Sequence, residues 1–175
     1  LEFRRVLFRS ASALSAHLTG PGQVVAVAME QDSWHIIAAH LGILKAGAAA
    51  MFLDTRLPEK LMAHMLADGR PAALLTRGSS PVADIPFINL ATMELQHAPR
   101  KHPNWLHDPR ESLATILYTS GTTGAPKGVE CHHAGYVNLA LTYADYFKLT
   151  AGIDATSDRK STRLNSSHLV ISYAV

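Results

Sequence analysis

Hydroxyls, glycines and one lysine crowd into residues 119–128, Thr119-Ser120-Gly121-Thr122-Thr123-Gly124-Ala125-Pro126-Lys127-Gly128. Backbone amides unobstructed by side chains can close around an anion, and glycine reaches the left-handed dihedrals that such a turn requires. Hydroxyls donate to phosphate oxygens, and a lysine adds a mobile positive charge. The chemistry on offer is phosphate binding. A Gly/Ser/Thr-rich surface turn has the same composition, but Lys127, closing the loop directly after an apolar stretch, favours phosphate. The pattern is not that of a Walker loop, because Gly128 follows Lys127 and Pro126 stands where glycine is required.

Other reactive residue types carry weaker signals. His35 and His40 are five apart, so a helix puts them on different faces, which argues against zinc. The His132-His133 pair reads as a solvated helix start. Cys131 has no general base at a fixed spacing and makes a poor nucleophile. As the single cysteine it excludes an internal disulfide framework and suits a reducing compartment. Asp54 reads as capping or bracing a loop, and Met51, Met62 and Met65 as core filler. No metal-ligating set is expected from these residues.

The elements that must position the loop follow from the hydrophobic pattern. Residues 11–18 read as the tail of a helix, and Gly20-Pro21-Gly22 as a turn. Residues 24–29 are an apolar run of strand length. Asp32 and Ser33 are good N-caps for a helix whose apolar residues Trp34, Ile37, Leu41 and Leu44 fall at spacings of three and four, with Gly47 as its C-cap. Residues 48–53 return to the strand pattern. Pro58 starts a second helix, with Leu61, Met62, Met65 and Leu66 on one face, ended by Gly69 and Pro71. Residues 72–76 and 85–90 read as further strands, residues 91–112 as an irregular connection, and residues 113–118 as the strand before the loop. A last helix over 133–147 carries Val137, Leu141 and Ala144 on one face. Strands apolar throughout, alternating with helices, predict an α/β fold: three layers, a mostly parallel sheet with helices on both faces. Ligands bind beyond the carboxyl ends of such strands, which is where the loop sits.

The two ends read differently from the middle. Residues 1–10, LEFRRVLFRS, and residues 158–166, DRKSTRLNS, can be encoded by opposite strands of one oligonucleotide, which resembles a short-read sequencing adapter. Residues 1–10 and 158–175 are therefore expected to be translated adapter and are set aside from fold reasoning. The 175 residues are 47 % hydrophobic with net charge +2; each end contributes +2, leaving −2 for residues 11–157. The sequence pI of about 8.8 then carries no signal for nucleic acid or an acidic membrane. No apolar run approaches the roughly 18 residues of a spanning helix.

Residues 118–128 match the signature Y-T-S-G-T-T-G-x-P-K-G at every fixed position, and on that ground the chain resembles the adenylate-forming (AMP-binding) superfamily. Residues 44–54, LKAGAAAMFLD, resemble the L-K-A-G-x-A-Y-x-P-L-D segment of nonribosomal peptide synthetase adenylation domains. Residues 61–71 resemble R-L-x-x-M-L-x-D-A-R-P. His133, Val137-Asn138-Leu139 and Tyr146-Phe147 match the continuation V-x-x-x-H-R-G-L-V-N-L. Ala50, Phe52 and Ala134 depart from these patterns.

The resemblance implies that residues 11–157 are an incomplete fragment of a larger N-terminal domain. It implies ATP-dependent activation of a carboxylic acid, an amino acid above all, as the acyl-AMP with release of pyrophosphate. Transfer would follow to the thiol of a phosphopantetheinylated carrier domain, or to coenzyme A in the alternative of an acyl- or aryl-CoA synthetase. A fragment with no function of its own is the third alternative. Thr119, Ser120, Gly121, Thr122, Thr123, Gly124 and Lys127 would contact the ATP phosphates, with Lys127 and Thr122 in the catalytic role. Backbone capping is the other reading of Thr122 and Thr123. Pro126 would stiffen the turn, Tyr118 would end the strand by packing or by presenting its hydroxyl, and His133 would lie near the substrate pocket. The Mg2+ ligand and the acid-binding, ribose-binding and C-terminal lysine groups are expected beyond residue 157. A cytoplasmic enzyme is expected, without nucleic-acid or membrane partners.

Overall fold

The computed structural model describes residues 2–29, 34–80, 84–92, 112–119 and 126–147. Strands β1 (Val24–Ala28), β2 (Ala49–Leu53) and β3 (Ala73–Thr76) are buried at almost every position, which their uninterrupted apolar sequence requires of strands covered on both faces. β4 (Phe87–Asn89), β5 (Leu113–Thr119) and β6 (Lys127–His132) complete one sheet in the order β4-β3-β1-β2-β5-β6. All neighbours pair in parallel except β5 and β6, which are antiparallel.

Helix α2 (Trp34–Lys45) joins β1 to β2, and α3 (Glu59–Gly69) joins β2 to β3. β2 and β3 flank β1 on opposite sides, so the two crossovers run in opposite directions, and right-handed connections must then lie on opposite faces. The apolar clusters divide accordingly. Val25, Val27, Ala50 and Leu75 pack with Ala38, Ala39 and Ile43 of α2, whereas Ala26, Met51, Leu53, Leu74 and Ile116 pack with Met65 of α3. The expected three-layer, mostly parallel architecture is thus present. No helix among the described residues is long and apolar enough to cross a membrane.

Several local expectations are corrected. The stripe expected to bury α2 is not the buried one: Trp34, Ile37 and Leu41 are exposed, while His35, Ala38, Ala39, Gly42 and Ile43 are buried. The reason is space, since α2 is held between the sheet and α1 (Glu2–Leu14). A Cβ on Gly42 would stand 2.8 Å from Ser10 Cβ and 3.0 Å from the Leu7 carbonyl oxygen, so small residues are needed there. Residues 2–10, set aside as adapter, form the first turns of α1 and bury Val6 and Ser10 in line with Ala11 and Leu14. That spacing makes one helical stripe, and such a stripe docks on an apolar helix face whatever its origin.

Gly47 ends α2 as expected, at φ 76°, with the paired bonds from Gly47 N–H to Leu44 and from Ala48 N–H to Ile43. α3 ends at Gly69 as expected, and its caps are placed by the structure. Pro58 is its N-cap, one residue before the first turn, and Arg70 instead of Gly69 takes the left-handed conformation at φ 42°. Gly69 stays helical against Met51 Sδ, where any Cβ would collide. β6 was not expected as a strand. α4 (His133–Tyr146) matches the expected helix, yet none of its residues is buried, and Val137 and Leu141 are 54 % and 65 % exposed. The N-caps Asp32 and Ser33, and residues 93–111 of the irregular connection, lie outside the described residues.

Candidate functional site

The loop read as a phosphate site joins β5 to β6, which pair antiparallel. Tyr118 faces Gly128 and Thr119 faces Lys127 across its neck, at the carboxyl end of the parallel strand β5. Ser120, Gly121, Thr122, Thr123 and Gly124 lie outside the described residues. Lys127, read as a loop residue, is the first residue of β6 and is exposed. The antiparallel register is what sets it opposite Thr119, also exposed, so an ammonium and a hydroxyl flank the opening of the loop. That pair suits a polyphosphate, which needs cations and donors without a covalent partner.

Beneath the neck, Tyr118 does not end the strand, which runs on to Thr119, but it both packs and uses its hydroxyl. Its ring joins the apolar cluster under α3, and its hydroxyl donates to Asp68 Oδ2 at 2.7 Å, with the Met65 carbonyl oxygen at 3.1 Å. Burial, then the hydrogen bond and negative charge of Asp68, push the phenol well above its ordinary pKa. Gly128 meets the same group from the partner strand. A Cβ there would lie 3.1 Å from Ile116 Cγ2, 3.3 Å from Tyr118 Cζ and 3.4 Å from Asp68 Oδ2. The last glycine of the motif therefore serves packing. On the other limb, His64 Nε2 lies 3.3 Å from the Pro126 carbonyl oxygen, a bond the ring makes as donor.

Asp68 and His64 were missed as site residues by the sequence reading. Their signal was the spacing of one helical turn on α3, together with the acceptor that a half-buried tyrosine hydroxyl favours. Asp54 braces its loop as expected. Its carboxylate accepts from the Arg56 backbone N–H at 3.0 Å and from the guanidinium at 2.9 and 2.8 Å, and these bonds draw its pKa down from 3.8 to about 2. Met51 and Met65 are buried core, and Met62 packs against it half-buried.

His40 sits on the other face of the sheet, with Nε2 3.3 Å from Thr115 Oγ1 and its ring edge-on to Phe52. Burial, and secondarily the charge of His133, lower its pKa; burial lowers that of His133. His35 is buried and stacks on Trp34 at 3.7 Å, so the two helix histidines do point apart. Burial pushes the Cys131 thiol up, away from the reactive thiolate. Among the described residues no three His, Cys, Asp or Glu side chains gather as a metal site.

A family profile described as "AMP-binding enzyme" matches residues 2–169. Enterobactin synthase component F of Escherichia coli is 34 % identical over 152 residues, covering 85 % of this chain and 12 % of its own length. The AMPPNP-bound form of the nonribosomal peptide synthetase FmoA3 superposes with a TM-score of 0.71 at 27 % identity, over 83 % of this chain and 16 % of that one. The o-succinylbenzoate coenzyme A synthetase MenE from Bacillus subtilis, in complex with AMP, superposes with a TM-score of 0.68 at 25 % identity, over 87 % of this chain and 39 % of its own. The chain thus spans a minor share of the length of each of these proteins.

Proposed function

The chain belongs to the AMP-binding enzyme family, and from that premise we propose that the protein containing it activates a carboxylic acid, an amino acid in our reading, as its adenylate. A carboxylate oxygen attacks the α-phosphorus of ATP, the bond to the β-phosphate oxygen breaks, and pyrophosphate leaves with its charge held by the loop. Thr119, Ser120, Gly121, Thr122, Thr123, Gly124 and Lys127 supply fixed donors and positive charge to the β- and γ-phosphates. Such donors act by stabilising charge that is already placed, and little side-chain acid–base chemistry is needed. The single observation carrying this reading is the hairpin that sets Lys127 opposite Thr119 at the mouth of a complete Y-T-S-G-T-T-G-x-P-K-G motif.

The acyl group then passes to a phosphopantetheine thiol of a carrier domain, in keeping with the likeness to a nonribosomal peptide synthetase. Transfer to coenzyme A is the second reading, favoured by the likeness to MenE. Mg2+ would accompany ATP, with its ligand residue beyond residue 157, and the enzyme works in the cytoplasm. Residues 11–157 carry the family sequence, and residues 1–10 and 158–175 are translated adapter, a reading supported by their common oligonucleotide.

In the full-length protein, Lys127→Ala should lower acid-dependent exchange of pyrophosphate into ATP by on the order of 10²-fold, the scale of losing one transition-state donor. Unchanged exchange kinetics would refute the phosphate role.

A further inference from the structure

The two limbs of the hairpin neck are tied to the same helix. Tyr118, the residue before Thr119, donates its hydroxyl hydrogen bond to Asp68 at 2.7 Å, and Pro126, the residue before Lys127, receives one from His64 at 3.3 Å. The contacts join residues 50 and 62 positions apart in the chain, so they are tertiary ties, not local turns. His64 and Asp68 are one helical turn apart and share a face of α3 with Met65, whose carbonyl oxygen lies 3.1 Å from the same tyrosine hydroxyl. Side-chain-free positions on both elements allow this approach. Gly69 has Tyr118 Oη 3.3 Å from where its Cβ would be, and Gly128 has Asp68 Oδ2 at 3.4 Å.

We infer that the His64–Asp68 face of α3 braces the hairpin neck at two points, making Asp68 and His64 positioning residues for the loop that holds the ATP phosphates. This rests on the loop's reading as a phosphate site. The physical need is specific. Among the described residues β6 is the last strand of the sheet and pairs with β5 alone, so the ladder by itself leaves the hairpin free to twist about the β5 axis. A tie on each limb removes that rotation. Loop donors stabilise a transition state only when held in place beforehand, and a displacement of about 1 Å costs on the order of 10²-fold in rate. Neither residue transfers a proton: Asp68 accepts from a phenol that stays protonated, and His64 donates to a carbonyl.

The test uses the full-length protein, pyrophosphate exchange kinetics with ATP and acid varied separately, and thermal midpoints. Tyr118→Phe and Asp68→Ala should each lower kcat/KM for ATP by about tenfold or more. The double variant should be no worse than the more impaired single, because both remove one bond, and KM for the acid should be unchanged. His64→Ala, at an exposed residue that leaves the fold intact, should raise KM for ATP, and His64→Gln, which keeps an N–H donor, should restore it. Unchanged ATP kinetics in Tyr118→Phe and Asp68→Ala would overturn the brace. So would losses that multiply in the double variant, or losses shared equally by ATP and acid. Should Asp68→Ala not fold, the His64 pair decides alone: no effect on KM for ATP overturns the inference. Lys127→Ala separates the two levels. If it is silent, the phosphate reading fails; if it is impaired while the α3 variants are silent, only the brace fails.

Discussion

Gly128 and Gly78 invite the same substitution with opposite expected signs. An alanine at 128 puts a methyl group 3.1 Å from Ile116 Cγ2 and 3.3 Å from the Tyr118 ring, both held by the cluster under α3. Overpacking of this kind costs roughly 1–3 kcal/mol. Removing a glycine from a strand returns roughly 0.5–1 kcal/mol through lower entropy of the unfolded chain. The net is a destabilisation of about 1 kcal/mol, or about fivefold in the ratio of folded to unfolded protein. At Gly78 nothing lies within 4 Å of the added methyl, and its carbonyl keeps the bond from Thr76 Oγ1 at 2.9 Å. Gly78→Ala should therefore be neutral or stabilise by up to about 1 kcal/mol. Urea unfolding of the two variants beside the parent reads both, with the slope checked for constancy. A Gly128→Ala midpoint at or above that of Gly78→Ala would refute the packing role given to the last glycine of the motif.

Arg70→Gly should raise the unfolding midpoint by the equivalent of under about 1 kcal/mol, since a non-glycine residue in the left-handed region costs roughly 1–2 kcal/mol, partly offset by glycine's unfolded-state entropy. The Asp54–Arg56 bonds depress the native pKa of Asp54 from 3.8 to about 2, so their contribution is fully present above pH 3.8 and lost as pH falls toward about 2. Acid titration of stability should show the gap between parent and Asp54→Asn closing over that window, from a small starting value because the pair is exposed. His40 and His133 have lowered native pKa values, so stability should fall as pH drops below 6.5, and His40→Gln should flatten that slope in pH-dependent melts. Residues 11–157 expressed alone should support no acid-dependent pyrophosphate exchange; measurable exchange would show that the groups expected beyond residue 157 are dispensable.

Much of the architecture was legible because buried parallel strands announce themselves. Residues 24–29, 48–53 and 72–75 are apolar without alternation, the pattern of short strands buried on both faces. Gly47 was legible for the same local reason, a left-handed turn that glycine alone takes without strain. α2 was not. Periodicity selected Trp34, Ile37 and Leu41 because they are large, whereas the helix is buried through small residues, Ala38, Ala39 and Gly42, the last of them against α1. Gly69 ends α3 as its stop signal predicts, but the fold also uses it for clearance from Met51, which no local pattern shows. β6 was not recognised because its residues Lys127–His132 alternate over only Val129 to His132 and carry no apolar run, and its strand state comes from hydrogen bonding to β5.

The sequence by itself supplied the chemical proposal: hydroxyls, glycines and Lys127 in one short loop after a buried strand are the residue types that a phosphate site needs. It also determined the layered sheet, since helices and strands of that pattern have few other ways to bury their apolar faces. Only the tertiary structure decided how the loop is held. Asp68 and His64 lie on a helix 50 and 62 positions before the hairpin residues they contact. Nothing local in the chain ties a helix face to a hairpin so distant in sequence; that contact exists because β2 and β5 pair, and α3 crosses over the face on which Tyr118 points.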